Sequence, residues 1–116
     1  MTGFIYVITN DINGKQYVGK TTDTIETRFK KHIEEYNKPR CEKRPLYSAM
    51  NKYGIEHFSV KQLEECELAI LNEREQYWIK ELNTFHNGYN ATRGGDGTQL
   101  YDYDLFIQDY NNGMTA

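Results

Sequence analysis

GKQYVGKT, residues 14–21, fits the pattern G-x-x-x-x-G-K-[ST] that cradles phosphates in nucleotide hydrolases. Such a loop requires a strand before its first glycine and a helix opening at its lysine. The flanks give a different order. Phe4-Ile5-Tyr6-Val7-Ile8 is an apolar, β-branched and aromatic run, Asn10 to Gly14 carries turn chemistry ending in Asn-Gly, and Lys15-Gln16-Tyr17-Val18 returns to strand-forming types. The spacing therefore predicts a β-hairpin whose second strand is the supposed cradle, with Gly19 where the chain leaves it. A helix is expected to begin within Thr21–Glu26, beyond Lys20, with Asp23 as its N-cap and Glu26 as the capping-box partner. No downstream apolar strand ends in an aspartate for magnesium. Nucleotide binding through Gly14–Thr21 is thus a remote alternative, and no nucleotide cofactor is expected.

The 116 residues amount to one domain and are few for the repeated βαβ crossovers of a nucleotide-hydrolysing fold. No stretch approaches the roughly 18 consecutive apolar residues of a membrane span. The N-terminal MTGFIYVITN lacks the basic start and small-residue cleavage site of a secretory signal. These features predict a soluble, intracellular (cytoplasmic) chain with no membrane partner. Cys41 and Cys66 stand far apart without a C-x-x-C, which points to reduced structural thiols. The net charge of -3 is unevenly spread: residues 28–44 hold Arg28, Lys30, Lys31, Lys38, Arg40, Lys43 and Arg44 against Glu34, Glu35 and Glu42. Acid elsewhere cannot cancel such a patch beyond about 10 Å in physiological salt. The run is either a solvated face or a docking surface for a polyanion.

Helical periodicity covers 24–36, where Ile25, Phe29, Ile33 and Tyr36 form the apolar stripe and Arg28 and His32 lie one turn apart along its flank. A loop with Pro39 and Pro45 leads to a short helix at 46–53 closed by Gly54, and Phe58–Leu63 alternates as a third strand. The longest helix is expected at 66–82, with Leu68, Leu71, Glu75, Trp78, Ile79 and Leu82 on one face. Glu75 is a carboxylate in the middle of that stripe. Burying it unpaired would cost several kcal/mol, so it needs an arginine, a cation or a cavity open to water. Residues 83–90 and 93–97 read as loop.

Taken in order, FIYVITN, KQYVGKT, TRFKKH, NKYGIEHF, EREQYWIKELNT and NGYN resemble the GIY-YIG nuclease family over roughly residues 3–93. The match is most similar to the catalytic domain of its phage-type homing endonucleases. Phe4 stands where the first motif often has glycine, and Val18 replaces the isoleucine of the second. The resemblance implies an α/β (α+β) domain over 1–95 with a small three-stranded, mainly antiparallel sheet flanked by helices. Residues 96–116 would be a tail, similar to the opening of a truncated helix-turn-helix DNA-binding region.

It further implies a DNA endonuclease that hydrolyses phosphodiester bonds with a single magnesium or manganese ion, as a monomer or weak dimer. Glu75 would be the metal ligand. Tyr17 would orient or deprotonate the attacking water, its phenol lowered by a nearby cation such as Lys20, and Tyr6 would support it. Arg28 would stabilise the charge of the transition state and His32 would be a second proton relay or phosphate contact. Gly19, Lys20, Lys31 and Asn90 would meet the substrate. Apart from the resemblance, Tyr6 and Tyr17 also read as ordinary strand aromatics, Arg28 and His32 as a solvated helix edge, Asn90 as a turn residue and Glu75 as half of a structural ion pair. The competing function is a catalytically silent nucleic-acid-binding module of nuclease-like fold, against which the joint presence of Tyr17, Arg28 and Glu75 speaks.

Overall fold

The computed structural model describes residues 1–39, 44–92 and 94. Strand β1 (Thr2–Asn10) and strand β2 (Gln16–Thr21) pair antiparallel, Phe4 facing Thr21 and Ile8 facing Tyr17. The turn between them is built from Asx chemistry: Asn10 Oδ1 accepts from the Ile12 amide, Asn13 Oδ1 accepts from the Lys15 amide, and Gly14 takes a φ of 75° that other residues adopt at a cost. The phosphate-loop pattern is therefore a hairpin turn followed by a strand, and Lys20 sits inside β2.

Helix α1 (Ile25–Glu35) opens on Thr24, whose Oγ1 accepts from the Thr27 amide at 3.1 Å. The expected N-cap, Asp23, lies one residue too early; its carboxylate instead accepts from the Thr24 amide. Helix α2 (Pro45–Tyr53) begins with a proline, whose missing N–H is an orphan there in any case, and ends at Gly54 with φ 95°. After a single 3₁₀ turn, strand β3 (Phe58–Glu67) pairs antiparallel with β1, giving the sheet order β2-β1-β3. Helix α3 (Leu71–Leu82) is closed by Asn83 in the left-handed region, φ 54°. A further short helix, α4 (Thr84–Asn87), occupies part of the expected loop.

Two sequence expectations are corrected by β3. It runs four residues past Leu63, because Gly3 pairs with Cys66 and Thr2 with Glu67, and this pairing overrides the helical pattern at 66 and 67. The longest helix accordingly starts at Leu71, and Leu68 falls in a 3₁₀ turn with its side chain exposed.

Strand β1 is apolar without alternation because both of its faces are covered. Tyr6 and Ile8 pack with Leu46, Tyr47, Met50 and Phe58, backed by Phe29 and Ile33 of α1. Ile5 and Val7 face the other way, against Val18, Leu71 and Ile79. Ile5 and Ile8 are both 0% exposed, and each such burial is worth about 1.5–3 kcal/mol. Outside the second core, Glu64 of β3 accepts from Arg74 Nε (2.7 and 2.9 Å) and from Trp78 Nε1 (2.9 Å), which ties α3 to the sheet. The Arg74 hydrogen bonds hold the Glu64 carboxyl below the usual carboxylate range. Cys66 is buried and free; Cys41, Arg40, Glu42, Lys43, Arg93 and the whole 95–116 stretch, with the tail and helix-turn-helix expectation, lie outside the described residues. Among the described residues no helix is long and apolar enough to cross a membrane.

Candidate active site

Tyr17 from β2, His32 from α1, Tyr47 from α2, Glu75 from α3 and Asn90 from the segment after α4 line one hollow of about 190 Å³. Five parts of the chain thus contribute to one wall. Each side chain has an identifiable reason for its position.

Tyr6 is 1% exposed and directly opposite Gly19 across the hairpin. A Cβ at Gly19 would fall 2.3 Å from both Cζ and Oη of that phenol, so glycine is what lets the Tyr6 ring lie over β2. The space that Gly19 leaves is filled from within the fold, by Tyr6. The Tyr6 hydroxyl meets His32 Nε2 at 2.8 Å, and Nδ1 of the same imidazole meets the Tyr47 hydroxyl at 2.7 Å. Tyr17 and His32 pack edge to face with centroids 5.6 Å apart. His32 is therefore no solvated helix edge. It is 2% exposed, more buried than the apolar residues of its own helix, because both ring nitrogens find phenol partners.

Electrostatics follow from this enclosure. Burial, with the positive charges of Arg28 and Arg44, pushes His32 well below the ordinary histidine range, so it is neutral. Burial also raises Tyr6, Tyr17 and Tyr47. Arg28 and Arg44 pull Tyr17 down, and Glu75 adds to the rise, but burial prevails. The positive charges that act downward on the Tyr17 phenol are thus Arg28 and Arg44, while Lys20 pairs with Glu75. Burial acts against the charge on Arg28, yet the oxygens of Tyr6, Tyr17 and Tyr47 more than restore it, and the guanidinium remains a fixed cation among phenols.

Glu75 occupies the apolar stripe of α3 as anticipated, its side chain 12% exposed, with Lys20 Nζ 3.3 Å from Oε1. Lys20 also donates to Asn72 Oδ1. Gly94 packs so closely that a Cβ there would meet Glu75 Oε1 at 3.1 Å. Asn90 lines the hollow, and its carboxamide is held by β2. Its Oδ1 accepts from the Val18 amide and its Nδ2 donates to the Val18 carbonyl, both at 2.8 Å, so the carboxamide serves as one more rung on the outer edge of β2. Lys31 is exposed on α1 and is not part of the hollow's wall.

Tyr47 and Arg44 were not singled out from the sequence. Arg44 figured only in the basic run; in the structure it lines the hollow and its Cζ lies 5.4 Å from the centre of the Tyr47 ring. The signal for Tyr47 was the same one that exposed Glu75: a polar tip on the buried face of a helix must find a partner.

A small α+β catalytic domain is what this fold and site define, with one acidic group facing phenols and guanidinium groups across a hollow. Residues 2–90 match the family model of the GIY-YIG catalytic domain, and the chain belongs to the GIY-YIG family. Intron-associated endonuclease 1 of Enterobacteria phage T4 is 41% identical over 92 residues, which cover 78% of this chain and 37% of that protein. Uncharacterized protein 019R of Invertebrate iridescent virus 6 is 36% identical over 95 residues, covering 76% and 33%. Among solved structures, the catalytic domain of intron endonuclease I-TevI, E75A mutant, is similar with a TM-score of 0.71 at 38% identity, covering 80% of this chain and 96% of that one. The chain spans about a third of the length of these curated relatives.

Proposed function

We propose that this domain is a DNA endonuclease that hydrolyses a phosphodiester bond with one divalent cation, magnesium or manganese. One observation carries the reading: Glu75 and Tyr17, contributed by different elements, line the same hollow, with the fixed cation of Arg28 among the phenols beside it. GIY-YIG membership and the endonuclease named among the relatives support it.

The donor set fits a hard cation held loosely. Glu75 would hold it through carboxylate oxygen, and among the described residues no group of three or more His, Cys, Asp or Glu converges to encage one. When bound, the ion supplies positive charge to the oxygens of the scissile phosphate. Tyr17 enters as a neutral phenol, since burial keeps its proton on, and orients the attacking water by hydrogen bonding. Tyr6, held by His32, stands behind it. Arg28, planar and permanently charged, clamps the non-bridging oxygens as negative charge builds. Lys20 balances the Glu75 carboxylate in the free protein and would meet the same phosphate. Exposed Lys31 and its basic neighbours on α1 contact flanking phosphates, positioning the duplex without reading its sequence.

Supercoiled plasmid incubated with the purified chain should be nicked or linearised in magnesium or manganese and protected by a chelator. Glu75→Gln and Arg28→Ala should each lower turnover by about 10²–10³-fold with unchanged circular dichroism. DNA left intact by wild type at high concentration, across several divalent metals, would overturn the reading.

A further inference from the structure

Lys20 stands between two acceptors on helix α3. Its Nζ lies 3.3 Å from Glu75 Oε1 and also donates to Asn72 Oδ1. Asn72 and Glu75 are three positions apart on one helix, a spacing that puts both side chains on the same face. Strand β2 carries Lys20 to that face, so one ammonium bridges a carboxylate and a carboxamide.

The two acceptors leave the lysine in different settings. Glu75 lines the hollow with its carboxylate little exposed, whereas Asn72 is exposed and outside the hollow's wall. Held by Glu75, the ammonium neutralises the carboxylate that the proposed cation needs. A divalent cation on Oε1 and an ammonium 3.3 Å from that oxygen would be like charges at close range, in a site only partly open to water, where repulsion is several times that in bulk water. The cation and Lys20 therefore exclude one another at Oε1. Held by Asn72, the same ammonium keeps a charge-assisted hydrogen bond and its contact with water, and the carboxylate is left for the ion.

We propose that Asn72 is a positioning residue of the cation site: it draws the Lys20 ammonium off Glu75 and so lets a divalent cation take the carboxylate. Lys20 is then a counter-ion built into the free protein, keeping Glu75 paired until the metal arrives. A carboxamide suits the task because its oxygen accepts from an ammonium while carrying no charge that would compete with Glu75 for the ion. Packing alone predicts something else. Asn72 is an exposed residue in the first turn of α3, and a change at such a position ordinarily leaves stability and remote affinity alone.

This inference rests on Glu75 as the ligand of the proposed cation, and the experiment separates the two. Mn²⁺ uptake by the DNA-free chain is followed through the electron paramagnetic resonance signal of the free ion, for wild type, Glu75→Gln, Lys20→Met, Asn72→Ala and the Lys20→Met/Asn72→Ala pair. Lys20→Met should tighten binding about 5-fold or more, since a like charge beside the ion is gone. Asn72→Ala should weaken it about 2- to 10-fold, the worth of one hydrogen bond to the ammonium. In the double variant the Asn72 effect should vanish, because no ammonium is left to draw aside. Binding weakened or unchanged by Lys20→Met, wild-type affinity in Asn72→Ala, or an Asn72 effect that persists without Lys20 would each overturn the proposal. Lys20→Gln gives the same test should methionine disturb β2. Binding unaffected by Glu75→Gln sinks the single-cation reading and this role with it. Glu75-dependent binding without opposed effects of the two substitutions leaves the endonuclease reading standing and removes only the role of Asn72.

Discussion

Gly19 and Tyr6 are the clearest case of one residue chosen for the sake of another. With only 2.3 Å between a would-be Cβ and the phenol, Gly19→Ala must push the Tyr6 ring off His32 or bend β2. The expected cost is about 1–3 kcal/mol of stability from overpacking, together with at least a tenfold loss of cleavage, read by urea denaturation and plasmid nicking. A variant with wild-type values in both would show that the ring has room to move. The residue-level reading of the sequence singled out Tyr6, Tyr17 and Arg28 through the family resemblance, and Glu75 also through its place as a carboxylate in an apolar stripe. It could not find that Gly19 serves Tyr6, since the two are 13 positions apart and only the hairpin register brings them together. Nor could it find what the Asn90 carboxamide does, because a turn asparagine and an edge-capping asparagine look alike in a string of letters.

At the scale of elements, β2 is an outer strand whose free edge would expose the Val18 N–H and C=O in the middle of a buried region. Asn90 closes that edge, helped by the Tyr89 amide donating to the Gln16 carbonyl at 2.9 Å. Asn90→Ala leaves both Val18 groups without a partner, which should cost about 1–3 kcal/mol for each and loosen β2 where Tyr17 sits. The check is a urea midpoint alongside backbone amide protection at Val18. Retained protection would mean that another group satisfies the strand. Element identity was legible in the sequence where a period held, as in α1, the body of α3 and the start of β3, and where strand-forming runs flanked Asn-Gly, as in the hairpin. Boundaries were not, and the reason is tertiary. Residues 66 and 67 fall within an acceptable helical pattern, yet β1 offers them partners at Gly3 and Thr2, and pairing with an existing strand outweighs local preference.

For the whole molecule, the buried titratable groups set a stability window. His32 is kept neutral in the fold, so below about pH 6.5 the unfolded chain takes up a proton that the native state refuses, and stability falls as pH drops. Tyr6, Tyr17 and Tyr47 are raised, so above about pH 10 the unfolded chain releases protons that the native state keeps, and stability falls as pH rises. Urea midpoints measured across pH should therefore show a plateau between these limits. His32→Gln should flatten the acid limb and Tyr6→Phe should shallow the alkaline one; limbs unchanged by these substitutions would place the titrating groups elsewhere.

The single strand β1 separates two apolar clusters and hydrogen-bonds both of its neighbours. Neither side can therefore come apart while the other stays shut, for pulling β1 away opens both at once. Deuterium labelling followed by mass measurement would then show Ile5 and Val7 exchanging in the same step as Tyr6 and Ile8. On this account the catalytic half of the domain has no softer partner half to shed under heat: activity and structure should vanish together, at one temperature.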